Sequence, residues 1–367
     1  MARPERNEDL KLFDEELERL HIRGQWLYDD LLVKAIGGPR PRGEAYIWRW
    51  DTVHPKLLDA CRVFPESFTA RRSLLFQNPG LQTNGTTHTL LMGMQIIRPG
   101  ELAWAHRHTL AAVRFVIKGD GKVFTAVDGE KCPMESYDLI LTPQWTWHDH
   151  HNPSEDTTIW LDALDVPLVL GGLNVPFYEP YPGDRVQEMR ERESDHLQRR
   201  AETVRPIWEK PKTENLPLRY SWKETEPRLR ALAEAQGSAY DGIALEYVNP
   251  ITGGSTLPTL SCWIQMLRPG EKTARHRHTS SAMYFVVNGE GTTVVGEKAM
   301  EWSQHDSFVI PNWAWHEHAN RSRDKEAILF SVNDIPVLRP FGLYREEPEQ
   351  SLYRSDPPPV PPVKQRR

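Results

Sequence analysis

Helical spacing of apolar residues is confined to a few stretches of this chain, and most of the rest alternates short β-branched or aromatic runs with turn residues. Leu10, Leu12, Phe13, Leu17, Leu20, Trp26, Leu27 and Leu31 recur at helix-like intervals among charges, which predicts an amphipathic helix over 5–36 broken near Gly24. Further on, residues 114–117, 122–127 and 138–142 read as strands, with a turn at 128–130. Residues 284–287, 292–295 and 307–310 repeat that arrangement, with turns at 289–291 and 296–297. Evenly spaced short strands with glycine turns predict an all-β fold of two double-sheet jelly-roll barrels. A charged stretch between them carries two helix-like segments, 185–203 and 226–235.

The repetition extends to the letters. RPGELAWAHRH at 98–108 returns as RPGEKTARHRH at 268–278, and PQWTWHDHHN at 143–152 returns as PNWAWHEHAN at 311–320. The offset is 170 residues for the first motif and 168 for its third histidine, as duplication of one ancestral domain would leave it. The chain of 367 residues therefore divides into an N-terminal helical extension (1–45), a first barrel (46–180), a charged connector with helices (181–240), a second barrel (241–345) and a proline-rich, polyproline-like tail expected to be disordered (346–367).

Charge and cysteine content exclude several classes of function. A net charge of −6 and a pI near 6.2, with basic residues dispersed, give no reason to expect nucleic acid or an anionic membrane as partner. Cys61, Cys132 and Cys262 are too few and too scattered for a disulfide framework, and no Cys-x-x-Cys is present, which suits a reducing cytoplasm. No apolar run approaches the roughly 20 residues of a membrane-spanning helix.

The duplicated motifs carry the chemistry. Alternate side chains of a strand share a face, so His106 and His108 point together, as do His276 and His278. His148 and His316 return from a distant strand to complete two three-histidine sets suited to a metal ion. His150 and His318 follow two residues on and face either the metal or its surroundings. Counting alternation onward from the pair places Arg114 on the same side, where its fork of donors suits a carboxylate.

This ordered set resembles the bicupin family of gentisate 1,2-dioxygenase and its salicylate and 1-hydroxy-2-naphthoate relatives. The likeness spans 45–340 and includes Arg71-Arg72 ahead of Asn78-Pro79-Gly80-Leu81, Gly93-x-Gln95, Arg114-Phe115, Trp160-x-Asp162 and Tyr247-x-Asn249-Pro250-x-Thr252-Gly253-Gly254. It implies Fe(II) on the first triad and possible occupancy of the second. It also implies O2 and a small aromatic carboxylic acid as substrates, a homotetramer, and ring opening of gentisate to maleylpyruvate. Arg71 and Arg114 would hold the substrate carboxylate, Gln95 and Asp162 would line the pocket, and His150 would contact substrate or move a proton. Where many cupins place a glutamate ligand this chain has Ala112 and Ala282, which leaves a three-histidine site its full +2 charge for a chelating anion. Tyr284 replaces Arg114 in the second barrel, and Leu91 stands where salicylate-cleaving relatives carry Trp, a difference that favours gentisate. Other metal-dependent bicupins of the oxalate decarboxylase or quercetinase kind, and non-enzymatic bicupins, are the rival readings; the missing glutamates and the arginine pair weigh against the first, the intact triads against the second.

Overall fold

The structure, a computed structural model, describes residues 7–64, 71–183, 186–189 and 218–349. The tail expected over 346–367 is described only to Glu349, and its first residues, Glu346–Pro348, form a strand of the second barrel instead; the rest of the tail and nearly all of the helix expected over 185–203 lie outside the described residues. In the N-terminal unit, which runs to Arg40, the amphipathic helix is Glu8–Arg19, and Asn7 caps it by accepting from the Leu10 N–H at 2.9 Å. The helix stops before Gly24; His21 turns left-handed at φ 57° and Trp26 folds back, its indole donating to Asp14 at 2.9 Å. A short helix, Asp29–Lys34, follows.

From Pro41 onward the described chain forms two barrels, each made of a six-stranded and a five-stranded antiparallel sheet. In the first barrel the six-stranded sheet has Ala112–Lys118, Thr158–Leu164 and Leu91–Ile97 at its centre. The facing sheet runs in the order Tyr178–Pro180, Leu102–His108, His148–His151, Asp120–Val127, Glu130–Glu135. The second barrel repeats this, with Glu346–Pro348, His276–His278 and His316–Asn320 adjacent in its five-stranded sheet. The strand Glu130–Glu135 escapes the sequence pattern because it contains Pro133, which is tolerated here because the strand is a sheet edge.

Alternation decides what each six-stranded sheet shows to either side. Val113, Phe115 and Ile117, with Ile159, Leu161 and Ala163, join Phe285, Ile328 and Phe330 of the second barrel in one continuous core. Phe115 stacks on Phe330 at a centroid distance of 4.1 Å. The two barrels thus pack back to back through their larger sheets, and Ala112, Arg114, Val116, Trp160 and Asp162 necessarily face the inside of the first.

The repeats also exchange their leading elements. Tyr46–Trp48, ahead of the first barrel, pairs with Ser307–Ile310 of the second, whereas Arg219–Tyr220 pairs with Leu139–Thr142 of the first. Each exchanged strand leads into a helix, Trp50–Val63 or Trp222–Ala231, whose first backbone N–H donates to a buried aspartate of the other repeat: Trp50 to Asp306 and Trp222 to Asp138, both at 2.8 Å. The second of these helices is the one expected over 226–235, shifted four residues toward the N-terminus.

Candidate metal centre and substrate pocket

His106 and His108 stand on Leu102–His108, and antiparallel pairing places His148 of the neighbouring strand directly opposite His106. All three are buried, and one ligand nitrogen from each lies within 4.8 Å of the others. Every Nδ1 of this triad meets a main-chain carbonyl: Trp104 for His106 at 3.2 Å, Leu110 for His108 at 2.9 Å and Thr146 for His148 at 3.1 Å. Carbonyls only accept, so each Nδ1 carries the proton and each Nε2 keeps a lone pair. Burial, reinforced by Arg71 and Arg114, pulls His106 down to about 2 and His108 to about 4, and pushes His148 well below 6.5. Three neutral imidazoles fixed in the ligating tautomer are the donor set a divalent transition metal requires.

The second triad is built alike. His276 pairs with His316, one ligand nitrogen from each of the three histidines lies within 4.8 Å of the others, and Nδ1 of His278 and His316 meets the carbonyls of Ser280 and Ala314 at 2.8 and 2.9 Å. His276 Nδ1 faces the Ala274 carbonyl without closing a well-formed hydrogen bond, and His316 Nε2 is buried with no hydrogen-bond partner. Among the described residues these two triads are the His, Cys, Asp or Glu clusters able to hold a metal ion.

Around the first triad the structure gathers the other residues expected there. Arg114 is buried, donating from Nη1 to Thr142 Oγ1 at 2.7 Å and holding Nε 3.3 Å from Asp162 Oδ1. Burial pushes Asp162 upward and Arg114 downward, and each charge restrains the other. Arg71 donates to the Trp104 carbonyl at 3.1 Å, and loss of water with Arg114 nearby pulls it down to about 9, so it stays charged at neutral pH. Gln95 is buried on the strand pairing with Thr158–Leu164 and accepts from Ser73 at 3.1 Å. His150 shares the inward face of its strand with His148; its Nδ1 lies 2.9 Å from Thr125 Oγ1 and its Nε2 is buried without a partner. Burial and the two arginines keep it neutral. Arg114 faces inward because its neighbours Val113 and Phe115 belong to the inter-barrel core; alternation counted from His108 crosses a turn at 109–111 and carries no information.

Two features had no place in the expectations. Arg107, the middle residue of the first histidine pair, points away from the histidines and lies 4.5 Å from the ring centroids of both Trp145 and Trp147, and Arg277 repeats this on Trp313 and Trp315 at 4.2 and 4.4 Å. The tryptophans therefore brace the back of the metal-bearing strand. The short strand Tyr178–Pro180 then pairs with the histidine strand, and the Tyr178 ring stacks on His106 at 5.1 Å. Its signal was available: Tyr178-Glu179-Pro180 returns as Glu346-Glu347-Pro348 at the offset of 168 that relates His148 to His316.

Comparison with known proteins agrees with this geometry. The Cupin domain family matches twice, at 93–164 and 263–333. The 1-hydroxy-2-naphthoate 1,2-dioxygenase of Nocardioides sp. (strain KP7) is 45% identical over 356 residues, covering 96% of this chain and 91% of that protein. The 5-aminosalicylate 1,2-dioxygenase of Comamonas sp. is 42% identical over 346 residues, covering 92% and 90%. The crystal structure of salicylate 1,2-dioxygenase from Pseudoaminobacter salicylatoxidans with gentisate superposes with a TM-score of 0.80 at 28% identity, covering 95% of this chain and 96% of that one. With two cupin domains, two histidine triads and likeness along almost its whole length, the chain belongs to the bicupin family of ring-cleaving gentisate, salicylate and 1-hydroxy-2-naphthoate 1,2-dioxygenases.

Proposed function

We propose that the first barrel is an Fe(II) site that opens the ring of an aromatic acid carrying a hydroxyl beside its carboxylate, with gentisate as the reference substrate and maleylpyruvate as its product. The observation that carries this reading is a three-imidazole face with two cations beside it, the half-buried Arg71 and the buried Arg114, both close enough to act on His106. His106, His108 and His148 would hold the metal as three neutral ligands, leaving its charge and open positions for an anionic substrate and O2. Bound Fe(II) would supply the electron path between substrate and O2 that Zn2+ lacks. The carbon–carbon bond between the carboxyl-bearing and hydroxyl-bearing ring atoms breaks and both oxygen atoms remain in the product, so no external reductant is consumed.

The chain's own residues supply position and charge. Nη2 of Arg114 makes no hydrogen bond among the described residues and, with Arg71, suits one substrate carboxylate. The Thr125 hydroxyl has two acceptors in reach, His150 Nδ1 at 2.9 Å and the weak Met134 sulfur at 3.4 Å. Donation to the nitrogen is the stronger choice, and it leaves the proton of neutral His150 on Nε2 as a donor toward the phenolic or ring-adjacent oxygen. Asp162 restrains Arg114, and Gln95 lines the wall.

A second reading, 1-hydroxy-2-naphthoate, is favoured by the likeness to the Nocardioides enzyme, and Leu91, which sets the chain apart from salicylate-cleaving relatives, is as compatible with it as with gentisate. Leu91 faces inward two residues before Gly93, and a side chain smaller than Trp leaves room for a second ring. The test is anaerobic reconstitution with Fe(II), then O2 uptake and product spectra with gentisate, salicylate, 5-aminosalicylate and 1-hydroxy-2-naphthoate. Equimolar consumption of acid and O2 is expected for at least one of them; reconstituted protein that consumes O2 with none refutes the reading.

A further inference from the structure

The register of the return strands shows where the two triads part company. Tyr178 pairs with His108 in the first barrel, and Glu346 occupies the same place opposite His278 in the second. Directly paired residues of antiparallel strands share a face, so both side chains stand on the face of the histidines. In the first barrel that position presents a phenol ring stacked on His106. In the second it presents a carboxylate, with Glu346 Oε1 3.8 Å from His276 Nε2, one of the triad's ligand atoms. The other oxygen, Oε2, accepts from the Tyr344 hydroxyl at 3.1 Å, which fixes the carboxylate with Oε1 toward the imidazoles. Glu347 points the other way and pairs with Arg277 at 2.8 Å.

We propose that Glu346 is the fourth ligand of a three-histidine, one-carboxylate divalent-metal site in the second barrel. This rests on the reading that His276, His278 and His316 bind a metal. The glutamate absent at Ala282 is thereby replaced from a different strand, after the barrel's last long strand, Ala327–Asn333. The consequence is chemical. A carboxylate ligand halves the net charge of the centre and takes one of the positions that a chelating aromatic acid would need, while Tyr284 offers no cation where the first barrel has Arg114. The second barrel is then a metal site that takes no aromatic acid, and the two sites of one chain differ in ligand set.

Co(II) alone, titrated into the metal-free full-length protein and followed by isothermal calorimetry and by its visible absorption, tests this. Wild-type protein is expected to bind two Co(II) per chain with two distinct spectra. Glu346→Gln should weaken one site by about tenfold or more, at least what losing a hydrogen-bonded partner of a ligand costs, change that site's spectrum and leave the other unaltered. Glu347→Gln should change neither. Should Glu346→Gln not fold, Tyr344→Phe weakens the same site by a smaller factor, since it keeps the carboxylate and removes only its hydrogen bond. Two sites with wild-type affinities and spectra in the folded Glu346 or Tyr344 variant overturn the assignment of Glu346. A single Co(II) per wild-type chain, unaffected by His276→Ala, overturns it together with the reading that the second triad binds metal.

Discussion

Arg114 and Asp162 face each other across directly paired strands inside the first barrel, with Nε 3.3 Å from Oδ1. The pair has two separable effects. As a buried ion pair it is costly to break from one side, on the order of 3–5 kcal/mol, because the remaining charge is stranded. As the proposed carboxylate clamp, Arg114 would contribute about 2–3 kcal/mol through charge-assisted hydrogen bonds to substrate. Arg114→Ala should therefore lower both melting temperature and kcat/KM, whereas Arg114→Leu with Asp162→Leu should recover the melting temperature and leave kcat/KM about 30-fold or more below wild type. Thermal melts beside steady-state kinetics decide it: recovery of activity in the double variant would return Arg114 to a structural role.

His150 is tested by a variant that keeps its packing. Its ring lies 5.0 Å from Trp160, so His150→Phe preserves the aromatic contact and removes both nitrogens. If Nε2–H donates to the reacting oxygen, kcat should fall by about 100-fold or more with metal content unchanged. Wild-type kcat in the metal-loaded variant would remove His150 from the mechanism.

How far these roles could be read beforehand depended on their physical origin. The triads were legible because period-two alternation and a repeated spacing are local facts, and three histidines recurring in one spacing have few explanations. The inward direction of Arg114, Gln95 and Asp162 follows from sheet packing: it becomes certain only when Phe115 is seen against Phe330. Tyr178–Pro180 and Glu346–Pro348 were missed because three residues ending in proline, beyond a helical stretch, have no strand-like pattern. The exchange of leading strands between repeats is a long-range choice that no local pattern encodes.

Phe115 offers a test of the back-to-back core. It is fully buried, stacked on Phe330 and 5.9 Å from Phe285, so Phe115→Ala removes an aromatic ring from the seam between barrels. A loss of about 3–5 kcal/mol is expected, seen in denaturant unfolding of metal-loaded protein. Because the adjacent Arg114 shares this strand, kcat should also fall; a stability loss below about 1 kcal/mol would mean that the two large sheets do not share one core.

The buried imidazoles dictate how the metal-free protein responds to acid. Burial pulls His106 to about 2, His276 and His318 to about 3, and His108 and His88 to about 4, each from an ordinary 6.5. Between pH 6.5 and 4 these groups take up protons in the unfolded chain and not in the folded one, so folding stability is greatest above 6.5 and falls as pH drops. Asp334 works in the opposite sense: burial raises it to about 6 from 3.8, so over that interval it binds its proton in the folded state and favours folding as pH falls. Asp138, Asp162, Asp165 and Asp241 are raised by burial in the same sense as Asp334, but His148, His150, His278, His305 and His316 are lowered as well, and ten imidazoles against five carboxylates leave the net slope toward acid instability, up to about 1.4 kcal/mol per pH unit for each uncompensated histidine. Chelator-treated protein should therefore melt at a lower temperature at pH 5.5 than at pH 7.5. Added divalent metal should raise the melting temperature at both, with a larger increment at pH 7.5, where protons compete less for Nε2. A metal-free melting temperature that is unchanged or higher at pH 5.5 would show that the histidines are hydrated or already paired in the folded chain, and the neutral, ligating state assigned to them would have to be withdrawn.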